Sequence, residues 1–330
     1  MVAMVWFYRD SRKPEIEKQP YISISGEAQG TTYNITYSDE DNRDFKAAVD
    51  SILHQFDLSL STYVKSSEIV RFNKSDSFQF ESPYFYPVLE KSKEIHENSD
   101  GAFDPTVYPL IEAWGFGPEK ADFPDSSRIE EIKEYVGFEH INFNKQQVVK
   151  EKERVSLDFN AIAQGYSIDV VFDFLESQGI ENMMVELGGE LRAKGKNENK
   201  DLWAIGIDDP KAESGQQASR VAIIKLENEA ISTSGNYRKF FVHDGKKYGH
   251  SINPTTGYPI QRDIISSTVV APTCMEADAW STAFMVTGLA KAKEILAAQK
   301  HLKAFFIYED EKGDLQQFNT ENLGENIILE

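Results

Sequence analysis

Asp278 and Thr282, four residues apart in EADAWSTAF, offer the first chemical clue in this sequence. On a helix, positions i and i+4 lie one above the other, so a carboxylate and a hydroxyl would bring oxygen to the same point. Two hard oxygen donors with room for waters or phosphate oxygens suit magnesium better than zinc. A second constellation is SLDFNAIAQGYSID, residues 156–169. There Asp158 closes a strand-like run, Asn160 is a good N-cap, and the free N–H groups of a helix starting at Asn160 would form a general anion site. Gly165, inside that helix, costs roughly 1 kcal/mol against alanine. A ligand or neighbouring strand coming close would explain it, as would a tight helix-to-sheet crossing. Gln164 beside it carries amide donors and an acceptor. Third, His250 precedes the turn Asn253-Pro254-Thr255-Thr256-Gly257, whose proline and glycine would hold a proton-transfer group rigidly. Fourth, Tyr63 and the Phe103-Asp104 pair could sandwich a heterocycle while accepting hydrogen bonds from its ring or ribose. Together these residues describe a phosphate-and-metal site with a ring pocket and a histidine, and leave the ligand open.

The elements that must position them can be read from periodicity. Residues 21–38 alternate apolar and polar about a Gly-containing turn, as a hairpin does. Phe45, Val49, Ile52, Leu53 and Phe56 have the spacing of a helix face, and another helix is expected over 83–98. SDGAFDPTVYPLIEAWGFG reads as a Gly- and Pro-rich loop whose aromatics line something. A helix near 127–136 and strands at HINFN, QVVK and RVSLDF lead into the helix at Asn160, where Ile162, Tyr166, Val170 and Phe174 recur every four residues up to an end near Gly179. Strands follow at MMVEL, LRAKG, LWAIGID, RVAIIKLE, EAISTSG, YRKFFVHDG and IISSTVVAP, then a helix over 275–286, a break at Gly288, a helix over 290–299 and a closing hairpin. His243 and His301 read as surface. The irregular alternation predicts one α+β domain over 21–330 with mixed and antiparallel sheets and packed helices, rather than a doubly wound parallel sheet.

Composition excludes some partners. With 54 acidic against 35 basic residues and a net charge of -19, the surface is poorly suited to gather a phosphate backbone, so nucleic acid is not expected. The lone Cys274 forms no internal disulfide, and no Cys/His spacing suggests zinc. The apolar run Met1–Tyr8 is too short to span a bilayer, which takes about 20 apolar residues. Residues 1–20 read either as a frayed start or as a polar tether below the remnant of a truncated signal or membrane anchor.

The motifs QGTTYNI, STYVKSSEIVRFN, GAFDPTVYPLIEAWGFG, LDFNAIAQGYSIDVV, VELGGELRAKG, AISTSGNYR, HSINPTTGYPI and EADAWSTAFMVTG stand in an order that resembles the ApbE family of FAD:protein FMN transferases. The resemblance spans about residues 21–308. It implies a T-fold-related flavin-transferase domain that takes FAD and Mg2+, transfers FMN to a threonine hydroxyl of an acceptor protein and releases AMP. By motif position it implies that Gln29, Tyr63, Ala102, Phe103, Asp104, Asp158, Gln164, Ser251 and Ile252 contact FAD. It also implies that the Ala161 carbonyl, Asp278 and Thr282 hold magnesium, and that His250 is the base on the acceptor threonine. Gly188, Gly189 and Glu190 match a glycine pair near the cofactor. Gln164 stands where many relatives carry Lys or Glu, and Asn253 where they carry Asp. The acceptor implied is a redox subunit of a membrane electron-transfer complex, which places the protein in the periplasm or on the outer side of the cytoplasmic membrane. A magnesium-dependent FAD pyrophosphatase giving FMN and AMP, and a flavin-binding protein without turnover, are the competing readings.

Overall fold

The alternating run from Tyr21 onward folds as strands β1 (Tyr21–Ala28) and β2 (Thr31–Ser38), paired antiparallel from Tyr21↔Ser38 to Ala28↔Thr31. The two residues between them, Gln29 and Gly30, have φ of 52° and 73°, the doubly positive geometry of a type I′ hairpin turn. The computed structural model describes residues 20–117, 123–210, 220–235, 240–243, 246–249, 251–260 and 263–330. Nearly all of the expected tether, residues 1–19, and His250 therefore lie outside the described residues.

Helix α1 (Lys46–Leu60) buries Val49, Leu53 and Phe56 as its spacing predicts, and α2 (Glu68–Asn73) follows, N-capped by Ser67. After β3 (Ser77–Gln79) and α3 (Phe85–Asn98), the expected loop folds more tightly than its Gly and Pro content suggests. Asp104 caps a 3-10 turn, Pro105–Val107, which runs into α4 (Tyr108–Ala113) with Pro109 in its first turn, where a missing N–H costs nothing. Helix α5 (Ser126–Lys133) and strands β4 (Ile141–Phe143) and β5 (Gln147–Lys150) come next, and β3-β5-β4 form a small antiparallel sheet.

RVSLDF is not a strand. Its backbone is held instead by the Asn73 side chain, which brackets Leu157 N and O at 2.8 and 2.9 Å, and by the Pro105 carbonyl, which accepts from Asp158 N at 2.8 Å. Side-chain and loop partners replace a ladder, leaving the segment free to turn into the next helix.

That helix, α6 (Ala163–Ser177), begins three residues later than Asn160, and Asn160 does not cap it. Its buried face is Ile168, Val171, Phe172 and Leu175, while Tyr166, Val170 and Phe174 are half-buried. A strict four-residue ladder drifts around a helix of 3.6 residues per turn, so the true contact stripe mixes threes and fours.

The rest comprises β6 (Met183–Leu187), β7 (Glu190–Lys194), β8 (Trp203–Asp208), β9 (Arg220–Leu226), β10 (Ala230–Gly235), β11 (Phe240–His243), β12 (Lys246–Gly249), β13 (Ile264–Ala271), α7 (Cys274–Thr287), α8 (Leu289–Ala298), β14 (Lys303–Glu309), β15 (Leu315–Asn319) and β16 (Ile327–Leu329). The main sheet runs β1-β2-β6-β7-β10-β13-β14-β15 with every neighbouring pair antiparallel, so the α+β expectation holds. Along β13 and β14 successive residues point to opposite cores. Val269, Ala271, Ala304 and Phe306 face the helices, while Val270, Phe305 and Ile307 face a layer containing β8 and β9. Helix α7 lies on the helical side against β10, β13 and α6 and is buried almost all round. A carboxylate carried on such a helix is desolvated by construction. No helix among the described residues is long and apolar enough to cross a membrane. His301, expected as plain surface, is half-exposed with Nε2 2.8 Å from the buried Glu276 Oε1.

Candidate active site

A cleft of about 1490 Å3 opens between the Gln29-Gly30 turn, the end of α1, the 102–107 loop, the starts of α6 and β7, and the cleft-facing side of α7. Gln29, Tyr63, Ala102, Phe103, Asp104, Asp158, Ala161, Gln164, Ser251, Ile252, Asp278 and Thr282 all line it. Residues from six separate stretches of sequence are thus gathered at one place. Ligand pockets of drug-sized molecules run to about 300–1,000 Å3, so this cleft has room for something larger.

At its deep end, Asp278 is 5% exposed, and burial pushes its carboxyl up to about 7, with a hydrogen bond from Gly165 N pulling the other way. That bond is 3.0 Å long, to Oδ2, and any residue with a backbone N–H could make it; the glycine is needed for clearance. A Cβ on Gly165 would lie 2.3 Å from the Cys274 carbonyl oxygen and 2.7 Å from Asp278 Cβ. The close neighbour is therefore the first turn of α7, neither a ligand nor a strand. The free N–H group expected to bind an outside anion is already committed to the protein's own carboxylate, which sits where the helix dipole favours it. A helix beginning at Asn160 would have directed Gly165 N to the Ala161 carbonyl four residues back; the later start releases that carbonyl. Asp169, one turn further along α6, accepts from Cys274 N and Met275 N at 2.9 and 2.8 Å, and pairs with Arg192 at 2.9 Å. It pins the start of α7 to α6, and burial raises its own carboxyl to about 6 despite Arg192.

Along the wall, Asp158 is 7% exposed, and its two oxygens accept from Asn160 N at 2.6 Å and Asn160 Nδ2 at 3.0 Å. Asn160 thus orients the carboxylate instead of capping the helix. Burial dominates and holds this carboxyl up at about 6. Asp104 Oδ1 accepts from Thr106 N and Oγ1 at 2.8 and 2.6 Å, with His96 Nδ1 3.5 Å from Oδ2; burial raises its pKa as well. Phe103 is packed into the core at 4% exposure, whereas Tyr63 is 64% exposed on the rim, so only the tyrosine offers a free ring face.

Gln164 does not reach out as a free amide. Its Nε2 donates to Leu187 O at 3.0 Å, and a Cβ on Gly188 (φ 65°) would fall 2.0 Å from that nitrogen. A side chain at Gly188 would push this amide off Leu187 O, and the positive φ favours glycine there in any case. Gln29 Oε1 lies 3.4 Å from Ser167 Oγ, whose proton goes to Gln164 O at 2.7 Å; the buried Gln29 Nε2 has no acceptor within hydrogen-bond distance, though the Gln29 side chain pulls the burial-raised Asp57 carboxyl back down. An orphaned donor in a ligand-sized cleft fits an acceptor brought by a ligand.

On the opposite lip, Asn253 Oδ1 accepts from Thr255 N and Thr256 N at 2.9 and 3.0 Å, which is the Asx-turn use of this side chain. An amide oxygen does this as well as a carboxylate. Trp114 Nε1 donates to Gly257 O at 2.8 Å, and Ile252 is buried with Leu110, Trp114 and Ile129, so the turn is clamped to α4 and α5. The base expected at His250 lies outside the described residues.

Asp278, the Thr282 hydroxyl and the Ala161 carbonyl make a hard, all-oxygen donor set, and among the described residues no group of three or more His, Cys, Asp or Glu is placed to hold a metal ion. Few protein oxygens with the remainder left to water and phosphate is the manner in which magnesium is usually held, so the residues fit that ion. Asp57, Asp169 and Ser234 were missed by reading the sequence. Ser232 and Ser234 carried a signal, two hydroxyls on one face of a strand; Asp169 carried none, since the α7 N–H groups it accepts from lie more than a hundred residues away.

A family model described as the ApbE family matches residues 29–306. The chain is 37% identical over 287 residues to a FAD:protein FMN transferase of Vibrio cholerae, covering 84% of this chain and 85% of that protein. A second, from Haemophilus influenzae, is 37% identical over 308 residues, covering 88% of each. Among solved structures, the flavin transferase ApbE from Vibrio cholerae superposes with a TM-score of 0.84 at 34% identity, covering 92% of this chain and 98% of the other. The apo flavinyl transferase ApbE of Pseudomonas stutzeri gives 0.83 at 30% identity, covering 93% and 96%.

Proposed function

The chain belongs to the ApbE family and is an enzyme that transfers FMN from FAD to protein; from that premise we propose that it works with Mg2+, that its acceptor is a threonine hydroxyl, and that AMP leaves. What carries this reading is the meeting, in one cleft of about 1490 Å3, of an all-oxygen donor set at the deep end with an exposed aromatic ring at the rim.

In the proposed reaction the threonine Oγ forms a bond to the FMN phosphorus of FAD while the bond from that phosphorus to the bridging oxygen breaks, and AMP departs with the electron pair. Phosphoryl transfer asks little covalent chemistry of a protein and much positioning. Ala161 O, Asp278 and Thr282 would hold magnesium, which supplies charge neutralisation for the pyrophosphate oxygens. Asp158, oriented by Asn160, accepts hydrogen bonds from the substrate, and Gln29 Nε2 donates one. Tyr63 covers a ring of FAD, with Ala102, Phe103, Asp104, Gln164, Ser251 and Ile252 along its length. His250 takes the threonine proton as attack begins. The acceptor in this proposal is a redox subunit of a membrane electron-transfer complex on the outer side of the cytoplasmic membrane, with residues 1–20 as tether.

The test is mass spectrometry of a candidate acceptor domain after incubation with the chain, FAD and MgCl2. An added FMN on one threonine, equimolar AMP, and loss of both with a chelator are expected. Free FMN with unlabelled acceptor would show a pyrophosphatase instead, and intact FAD would show a flavin binder.

A further inference from the structure

Thr282 belongs to a chain of hydroxyls whose proton order can be worked out from distances alone. Its Oγ1 lies 3.1 Å from Ser234 Oγ on β10, Ser234 Oγ lies 2.8 Å from Ser281 Oγ, and Ser281 Oγ lies 2.8 Å from the Asp278 carbonyl oxygen. A carbonyl oxygen has no proton, so Ser281 donates there and has none left. The contact between Ser281 and Ser234 then needs the Ser234 proton. The contact between Ser234 and Thr282 in turn needs the proton of Thr282. Ser281 is fully buried, so no solvent molecule can supply an alternative partner. Ser232 Oγ, 3.4 Å away, can only add a second donor to the same oxygen. Thr282 is left with its proton turned away from the cleft it lines and its lone pairs available to it.

We propose that Ser234 is a positioning residue that takes the Thr282 proton, with Ser281 as the anchor that sets the direction, so that Thr282 meets the cleft only as an acceptor. A hydroxyl fixed in this way is a ligand for a cation; one with its proton reversed would be a donor to phosphate and would repel the ion. The strand that carries Ser234 is held between β7 and β13 and lies under α7, so the oxygen spacing is set by the main sheet. This inference rests on the proposed magnesium site.

The test uses the full chain titrated with MgCl2 alone, read by calorimetry and by the magnesium-induced rise in Tm, beside kcat and the magnesium half-saturation of FMN transfer. Ser234→Ala and Ser281→Ala are each expected to weaken magnesium binding about tenfold, as loss of a group orienting a ligand does. The apo Tm should stay near that of the parent, and kcat should recover at saturating magnesium. Ser281→Ala is the sharper of the two, because Ser281 does not line the cleft; with its acceptor gone, Ser234 donates to Thr282 and the order reverses. In a Thr282→Val background neither substitution should weaken binding further. Unchanged magnesium binding in either variant, or a loss that persists undiminished beside Thr282→Val, overturns the proposal. Should Ser281→Ala fail to fold, the pair Ser234→Ala and Thr282→Val decides by the same criterion. A parent chain with no magnesium-induced shift would instead sink the metal reading itself.

Discussion

Replacing Gly165 with alanine adds one methyl group where the first turn of α7 presses on α6. The added carbon would sit 2.3 Å from the Cys274 carbonyl oxygen, 2.7 Å from the Cys274 carbonyl carbon and 2.7 Å from Asp278 Cβ. Non-bonded carbons settle at about 3.5 Å or more, so the two helices must separate by roughly 1 Å. The nearest obstacles are backbone atoms, which cannot rotate aside as the end of a side chain can. Helix propensity favours alanine by about 1 kcal/mol, and overpacking a well-filled core costs typically 1–3 kcal/mol, so the net loss of stability is about 0–2 kcal/mol. At about 2.1 cal/mol/K per residue that lowers Tm by no more than about 3 °C. Function should suffer more, because the separation breaks the bond from Gly165 N to Asp278 Oδ2 and shifts the carboxylate relative to the Ala161 carbonyl. A misplacement of about 1 Å can cost about 100-fold in rate. Transfer assayed against MgCl2 concentration should therefore show a raised half-saturation and a rate down by about two orders of magnitude, in a protein that is still folded. Parent-like magnesium dependence together with an unchanged or higher Tm would refute the idea that this close approach sets the site.

Two further outcomes can be measured. Asp158, Asp169 and Asp278 have carboxyls raised to about 6, 6 and 7, so the folded state holds protons that the unfolded chain gives up from about 3.8 upward; the stability they contribute is present at low pH and is lost as pH rises toward 7. Differential scanning calorimetry of the apo chain should show Tm falling from pH 5 to 8, and the magnesium-induced rise in Tm should grow across the same window as Asp278 ionises; a magnesium effect independent of pH would contradict this linkage. Asp158→Asn keeps an oxygen for Asn160 N while removing a buried charge, so the apo Tm at pH 8 should hold or rise. FAD affinity followed by flavin fluorescence should fall about 10–100-fold, the worth of a hydrogen bond to a charged group, and parent-like affinity would remove Asp158 from the binding wall.

The hairpin at 21–38, the helical face of α1 and the strands from Met183 onward were legible because their apolar spacing is local and strong. What misled the reading was also local. RVSLDF has the alternation of a strand, but its backbone partners are a side chain from α2 and a carbonyl from the 102–107 loop. Asn160 has the character of an N-cap, yet Asp158 two residues away takes both of its donors. In each case a partner distant in sequence or a competing local hydrogen bond won over propensity, which is a weak prior.

Residue types and motif order were enough to name the chemistry: hard oxygens, a ring-covering tyrosine, a wall carboxylate, and a family in which such groups stand together. The sequence could not say what each of these groups binds within the protein. That Gly165 clears a helix and not a ligand, that Gln164 locks to the Gly188 corner, and that the Thr282 proton runs back through Ser234 to Asp278 O depend on contacts between segments tens to more than a hundred residues apart. A hydrogen bond has one donor, one acceptor and a length near 3 Å, and only the packed fold sets which groups come that close.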